Sequence, residues 1–264
     1  MDVPVMTFNI QHGVDYNRVL SAAGTAAADE AGENPAGINL SQVAQAIRQC
    51  GAEIVALNEV RDVMPGVVHP CFTPQVRILA EAAGFPYAYF GRAIDLPGQG
   101  LYGNGLLSKH PIRSACTVMV PDSVVKDEPA WYETRCVIRA EIDITDPKTG
   151  ACKPLTVLVT HMGLASSEQK NAVQTVLEQR VPGEATLLMG DFNLEPDSPI
   201  LAPLFEVFRD AVVLLPPDTR SYPSDNPDCK IDYILADGPV TFLKAAIPPL
   251  VVSDHRPHTA VIAL

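Results

Sequence analysis

The sequence predicts an α/β fold, and three observations carry that prediction. Short apolar, β-prone runs recur from one end of the chain to the other. Segments with apolar residues at helical spacing fall between them, so strands and helices alternate. A hydrophobic content of 47% and a charged content of 19% over 264 residues suit a folded chain with a substantial core. No internal repeat or long linker interrupts the pattern, so a single domain spanning 1–264 is expected.

The elements follow in order. Val3 to Phe8 reads as a short strand. Leu40, Val43, Ala44 and Ile47 lie at i, i+3, i+4 and i+7, a helical face closed by Gly51. Ile54 to Leu57 is a buried strand ending at Asn58-Glu59, and Gln75 to Ala83 is a helix stopped by Gly84. Short strands are expected around Tyr87 to Phe90, Gly105 to Leu107 and Val137 to Ile144. The continuous apolar run Leu155 to Thr160 reads as a central strand. Ser166 with Gln169 predicts a capping box for a helix through Leu177. Ala185 to Met189, Ile231 to Leu235, Val240 to Leu243 and Thr259 to Leu264 complete the strands. Residues 21–37, rich in Ala, Gly and acidic side chains, read as a flexible surface insertion, with an Ala-rich helix as the rival reading.

Charge narrows the function. Nineteen basic against 31 acidic residues give a net charge of −12. Polynucleotide affinity rests on Lys and Arg neutralising phosphates, so this balance disfavours a nucleic-acid partner without forbidding a local basic groove. A small phosphorylated molecule, or a lipid head group held by a divalent cation, fits the charge better. The six cysteines show no C-x-x-C pair and no zinc-type spacing with His, and a reducing compartment is expected. No run of 18 apolar residues indicates a transmembrane helix, and the N-terminus lacks a basic n-region and an h-region. The expected location is cytoplasmic. Nothing in the sequence identifies a protein partner.

Polar residues gather where apolar runs stop: Asn9, Glu59, His161, Asp191 with Asn193, and Asp254 with His255, while Asp232 lies inside its run. Each taken singly is explained by a cap or turn. Glu59 resists that explanation, because a carboxylate directly after a buried strand pays for desolvation. Jointly, an Asn, a Glu, two His and three Asp at strand ends are the inventory of a hard-metal hydrolase. The imidazoles transfer protons near neutral pH, and the carboxylates hold a metal or a water.

The motifs Thr7-Phe8-Asn9-Ile10, Leu57-Asn58-Glu59-Val60, Tyr102 to Ser108, Thr160-His161, Gly190-Asp191-Phe192-Asn193, Ile231-Asp232-Tyr233-Ile234 and Ser253-Asp254-His255-Arg256-Pro257 stand in this order along nearly the whole chain. Together they resemble the endonuclease/exonuclease/phosphatase superfamily, which contains deoxyribonuclease-like enzymes, AP endonucleases, neutral sphingomyelinases and inositol polyphosphate 5-phosphatases. The resemblance implies a four-layer α/β sandwich, two packed mixed β-sheets flanked by helices, with the site at the sheet edge. It implies Glu59 as principal Mg2+ ligand, with Mn2+ an alternative ion and Asn9 and Asp254 near the metal or its waters. It further implies that Asp191 positions or deprotonates the attacking water and that Asn193 hydrogen-bonds a phosphate oxygen. Asp232 would orient His255, and His255 with His161 would contact the phosphoryl oxygens as charge builds there. Asn104, Arg135 and the aromatic Tyr222, in Thr219-Arg220-Ser221-Tyr222-Pro223-Ser224, match substrate-contacting positions of some members. For Arg135 a solvated face or a salt bridge with Glu133 is an equal alternative, and for Tyr222 simple loop packing is.

One departure matters. AP endonucleases carry an Asp two residues after the first Asn, where this chain has Gln11. The expected function is therefore a Mg2+-dependent phosphodiesterase acting on a small-molecule or lipid head-group phosphate. A nuclease on DNA or RNA is the alternative, and it needs a basic stripe from Arg92, Lys109, Arg113, Lys126 and Arg135. A catalytically silent binding module is disfavoured, because Glu59, Asp191, Asp232 and His255 are all present.

Overall fold

A computed structural model describes residues 1–22, 37–125, 128 and 131–264. In chain order the elements are β1 (Asp2–Asn9), α1 (Tyr16–Ala22), α2 (Leu40–Cys50), β2 (Ile54–Asp62), α3 (Gln75–Ala83), β3 (Tyr87–Leu96) and β4 (Gly100–Ser108). They continue with β5 (Ile112–Met119), β6 (Cys136–Thr145), β7 (Cys152–His161), α4 (Ser166–Gln179), β8 (Thr186–Asp191) and α5 (Ala202–Phe205). The last are β9 (Arg209–Asp210), β10 (Asp232–Asp237), β11 (Thr241–Ala246) and β12 (His258–Ala263). The strands form two mixed six-stranded sheets, ordered β11-β12-β1-β2-β4-β3 and β5-β6-β7-β8-β10-β9. Each holds one parallel pair, β1 with β2 and β7 with β8, inside otherwise antiparallel neighbours.

Apolar residues on both faces of the central strands explain the continuous runs in the sequence. Val3 and Val5 of β1 and Val157 and Val159 of β7 enter the core between the sheets. Met6 and Phe8 of β1 pack outward on Val43 and Ile47 of α2 and Leu79 of α3. On the far side Leu158 of β7 and Leu188 of β8 meet Val173 and Val176 of α4. Helix, sheet, sheet and helix make the expected four layers of an α/β sandwich.

Several local expectations differ. The strand β2 does not stop at Asn58-Glu59. It runs on to Asp62 through a bulge between Leu57 and Val60, with Glu59 at φ 57°. The capping box at α4 does not form, because Ser166 is already helical and Ala165 holds the cap position without a side-chain bond. Gln169 instead donates from Nε2 to the carbonyls of Gly163 (3.0 Å) and Asn193 (3.4 Å). The helix start is supplied with an anion by Glu128, whose Oε1 accepts from the Ser167 amide at 3.1 Å. Leu250 to Val252 is loop rather than strand, so Asp254 and His255 precede β12 instead of following a strand. Of the segment 21–37, residues 23–36 lie outside the described residues, as does Lys126. No helix among the described residues is long and apolar enough to cross a membrane.

Candidate active site

Strand register brings the polar ends together. Asn9 on β1 is paired with Asn58 on β2, while His161 on β7 and Asp232 on β10 both pair with Asp191 on β8. Asn58 then joins the two sheets: its Oδ1 accepts from the Asp191 amide (3.0 Å), and its Nδ2 donates to Asn104 Oδ1 (2.9 Å) and Thr160 O (3.0 Å). Gly190 permits this closeness, because a Cβ there would sit 1.8 Å from Thr160 O.

The bulge in β2 re-aims the Glu59 side chain, as bulges do beside active sites. Glu59 Oε1 accepts from Asn9 Nδ2 at 3.0 Å, and the same nitrogen donates to Asp191 Oδ2 at 3.0 Å. Gln75 holds the bulge: its Oε1 accepts from the Arg61 amide (2.9 Å) and its Nε2 donates to His12 O (2.6 Å). Past β1 a tight turn with positive φ at Gln11, His12 and Gly13 swings the His12 ring against Tyr102, centroids 5.5 Å apart. His12 Nε2 lies 3.7 Å from Glu59 Oε2. Burial, together with the Arg61 charge, lowers the His12 pKa to about 4, so the ring is neutral.

Asp232 is fully buried, and its Oδ2 accepts from His255 Nδ1 at 2.9 Å. Burial alone would lower the His255 pKa, but the charges of Asp232 and Asp191 and the hydrogen bond to Asp232 outweigh it and raise it to about 10. His255 is therefore an imidazolium whose Nε2 points at Asp191 Oδ2, 3.5 Å away. Asp191 itself is raised from the ordinary carboxylate range, by burial and by the charge of Asp232. Asp254 is raised likewise, by burial first and then by Glu59.

His161 is held neutral by burial and by Arg135. Arg135 Nη1 donates to its Nδ1 at 3.1 Å, which leaves the proton on Nε2, 3.6 Å from Asp191 Oδ2. The loop bearing Asp254 and His255 is held by the loop before β10. Ser224 N donates to Asp254 O (2.6 Å), Arg256 N to Ser221 O (2.8 Å) and Arg256 Nε to Ser224 O (2.7 Å). Tyr222 packs its ring 4.8 Å from that of His255.

The result is a cleft of about 600 Å³ lined by Glu59, Arg135, His161, Asp191, Asn193, Tyr222, Asp254 and His255, each of which the sequence singles out. Asn9 and Asp232 lie beneath it as buried supports. Asn104 is also buried, not at the surface of the cleft: its Oδ1 is held by Asn58 and its Nδ2 donates to Cys136 O at 3.0 Å. Arg135 does make the salt bridge to Glu133, at 2.8 Å, yet still lines the cleft. Sequence reasoning missed His12, Arg61 and Trp131 as lining residues and Asn58 as the link between sheets. The available signals were that His12 and Arg61 flank the Asn9 and Glu59 motifs and that Asn58 precedes Glu59.

The donor set fits a hard divalent cation. Four carboxylates, Glu59, Asp191, Asp232 and Asp254, gather at one place, and Asp191 and Asp254 are pushed up first by burial and then by a neighbouring carboxylate, a cost that a bound cation would relieve. One ligand atom each from Asp191, Asp232 and His255 also lie within 4.8 Å of one another. His255 Nδ1 and Asp232 Oδ2 are hydrogen-bonded to each other at 2.9 Å, so those two atoms of the trio are already committed. Glu59 and Asp254, whose oxygens are less committed, are the candidate ligands.

The fold and this set of side chains define a metal-dependent phosphoester hydrolase class. The profile of the Endonuclease/Exonuclease/phosphatase family matches residues 6–255, and the chain belongs to that family. Solved structures share the fold. An endonuclease/exonuclease/phosphatase from Beutenbergia cavernae DSM 12333 aligns at 23% identity and TM-score 0.73, covering 100% of this chain and 72% of its own. A mannosyl-6-phosphatase from Bacteroides thetaiotaomicron VPI-5482 aligns at 14% identity and TM-score 0.70, covering 99% and 100%. Truncated TDP2 from Caenorhabditis elegans aligns at 16% identity and TM-score 0.63, covering 100% and 98%. No curated protein matches the chain.

Proposed function

We propose that this protein is a divalent-metal-dependent phosphodiesterase acting on a small-molecule or lipid head-group phosphate. The observation that supports it most is the line Asp232–His255–Asp191, with separations of 2.9 and 3.5 Å, beside Glu59 at the cleft. When bound by Glu59 and Asp254, with Asn9 behind, Mg2+ or Mn2+ would supply Lewis-acid stabilisation of charge on a phosphoryl oxygen. Asp191 accepts the proton of the attacking water, a task suited to a carboxylate whose pKa is raised. His255, kept cationic by Asp232, donates through Nε2 to a phosphoryl oxygen as negative charge builds on it. His161 offers its Nε2 proton in the same direction. Asn193 Nδ2 donates to Met162 O at 2.9 Å and lies 3.1 Å from His161 Nε2, which keeps the Asn193 amide and the His161 ring together at the edge of the cleft. Water oxygen bonds to phosphorus, the ester P–O bond breaks, and the leaving alkoxide takes a proton from solvent to depart as the alcohol, without a covalent enzyme intermediate.

The basic stripe a nuclease would use is not assembled among the described residues. Arg92 pairs with Asp95 at 3.4 Å, Arg113 with Asp143, Lys109 lies over Phe85, and Arg135 alone of the group lines the cleft. The test is release of p-nitrophenol from bis-p-nitrophenyl phosphate and from p-nitrophenyl phosphate with Mg2+ or Mn2+, beside plasmid and oligonucleotide. A faster diester supports the proposal; a faster monoester makes the protein a phosphatase, and cut nucleic acid makes it a nuclease.

A further inference from the structure

The same cleft is lined by Ile94 and Leu96 of β3, Tyr102 of β4, Trp131 and Leu164, an apolar side beside the polar floor. Trp131 is 72% exposed and Leu164 55%. Of the large apolar side chains exposed among the described residues, these two are the ones that line the cleft. An indole left open forgoes a large hydrophobic contact, which a ligand can recover. The polar groups nearby are committed to the protein. Glu133 is paired with Arg135 at 2.8 Å, Arg135 also serves His161 at 3.1 Å, and the Arg61 guanidinium lies 4.8 Å over the Phe72 ring. This side of the cleft offers contact area rather than charge.

We propose that the Trp131–Leu164 side is a specificity subsite for an uncharged, apolar ester arm of the substrate, aryl or alkyl, with Trp131 as the main contact. The inference rests on the phosphoesterase reading above, because a phosphorus seated by His255 and Asp191 brings one of its ester arms onto this wall. A cleft of about 600 Å³ holds a phosphate together with a medium-sized arm. A polyanionic arm would instead face a chain of net charge −12.

Trp131 is the only tryptophan in the chain, so its fluorescence reports the subsite with or without turnover. The full chain is titrated with diphenyl, dibutyl and dimethyl phosphate and with inorganic phosphate. Expected is a saturable emission change with diphenyl or dibutyl phosphate and none at equal concentrations of the other two; the tighter of the pair says whether the arm is aryl or alkyl. Equal responses to all four, or none to any, overturn the subsite. In parallel, kcat/KM for phenyl p-nitrophenyl phosphate is divided by that for the methyl ester. Trp131→Ala should cut this ratio about tenfold and Trp131→Phe should restore most of it. An unchanged ratio overturns the proposal while leaving the hydrolase reading intact. Saturable diphenyl phosphate binding without hydrolysis of any ester does the reverse.

Discussion

The charge on His255 is decided by two opposed effects at one residue. Burial favours the neutral ring, but Asp232 at 2.9 Å and Asp191 at 3.5 Å favour the cation and prevail. Replacing His255 with Gln should therefore lower kcat/KM by about 10²–10⁴-fold while circular dichroism remains that of the native fold; near-normal turnover would remove His255 from the mechanism. Glu59→Gln should raise the Mg2+ concentration for half-maximal rate, and an unchanged requirement would end its assignment as ligand. These residues were legible in the sequence because their chemistry is written in residue type and position: acids and imidazoles at the ends of apolar runs. His12 was not legible. Its place in the cleft depends on three consecutive positive φ values at residues 11–13, which no spacing rule encodes. Asn58 was not legible either, because its value lies in bonds to Asn104, Thr160 and Asp191, distant in sequence.

At the scale of elements, strands buried on both faces announced themselves, while of the four edge strands β3 and β11 were legible and β5 and β9 were not. The run Leu155 to Thr160 was plain, while β5 alternates poorly, carries Arg113, Ser114 and Thr117, and was missed. The bulge in β2 was also invisible, since Leu57-Asn58-Glu59-Val60 reads as a strand meeting a turn. Close contact between β7 and β8 leaves no space for a side chain at residue 190. Gly190→Ala drives a Cβ against Thr160 O, backbone that cannot step aside, and should cost about 3 kcal/mol or more in denaturant unfolding. A loss below about 1 kcal/mol would show that the two strands can part locally.

Across the whole molecule, buried histidines couple stability to pH. Burial, aided by the Lys230 charge, lowers the His258 pKa from 6.5 to about 3. The unfolded chain thus binds a proton that the folded chain refuses between those values. The stability His258 confers is complete above pH 6.5 and is lost as pH falls below it, at about 1.4 kcal/mol per pH unit. Asp191 and Asp254, both raised, act with the opposite sign in the acidic range, so the comparison must be against His258→Gln. The stability difference between wild type and variant should shrink with this slope between about pH 6 and pH 4; a constant difference would refute the neutral assignment. The four-layer arrangement was implied by the family resemblance that the ordered motifs carry, not by periodicity or composition. One consequence follows from the Asn58 bonds that tie β2 to β7 and β8. Glu59 comes from one sheet, Asp191 and Asp232 from the other, so neither half carries the whole proposed site by itself. On the proposed mechanism catalytic power is a property of the seam, and activity returning during refolding should time the moment at which the two sheets close on each other.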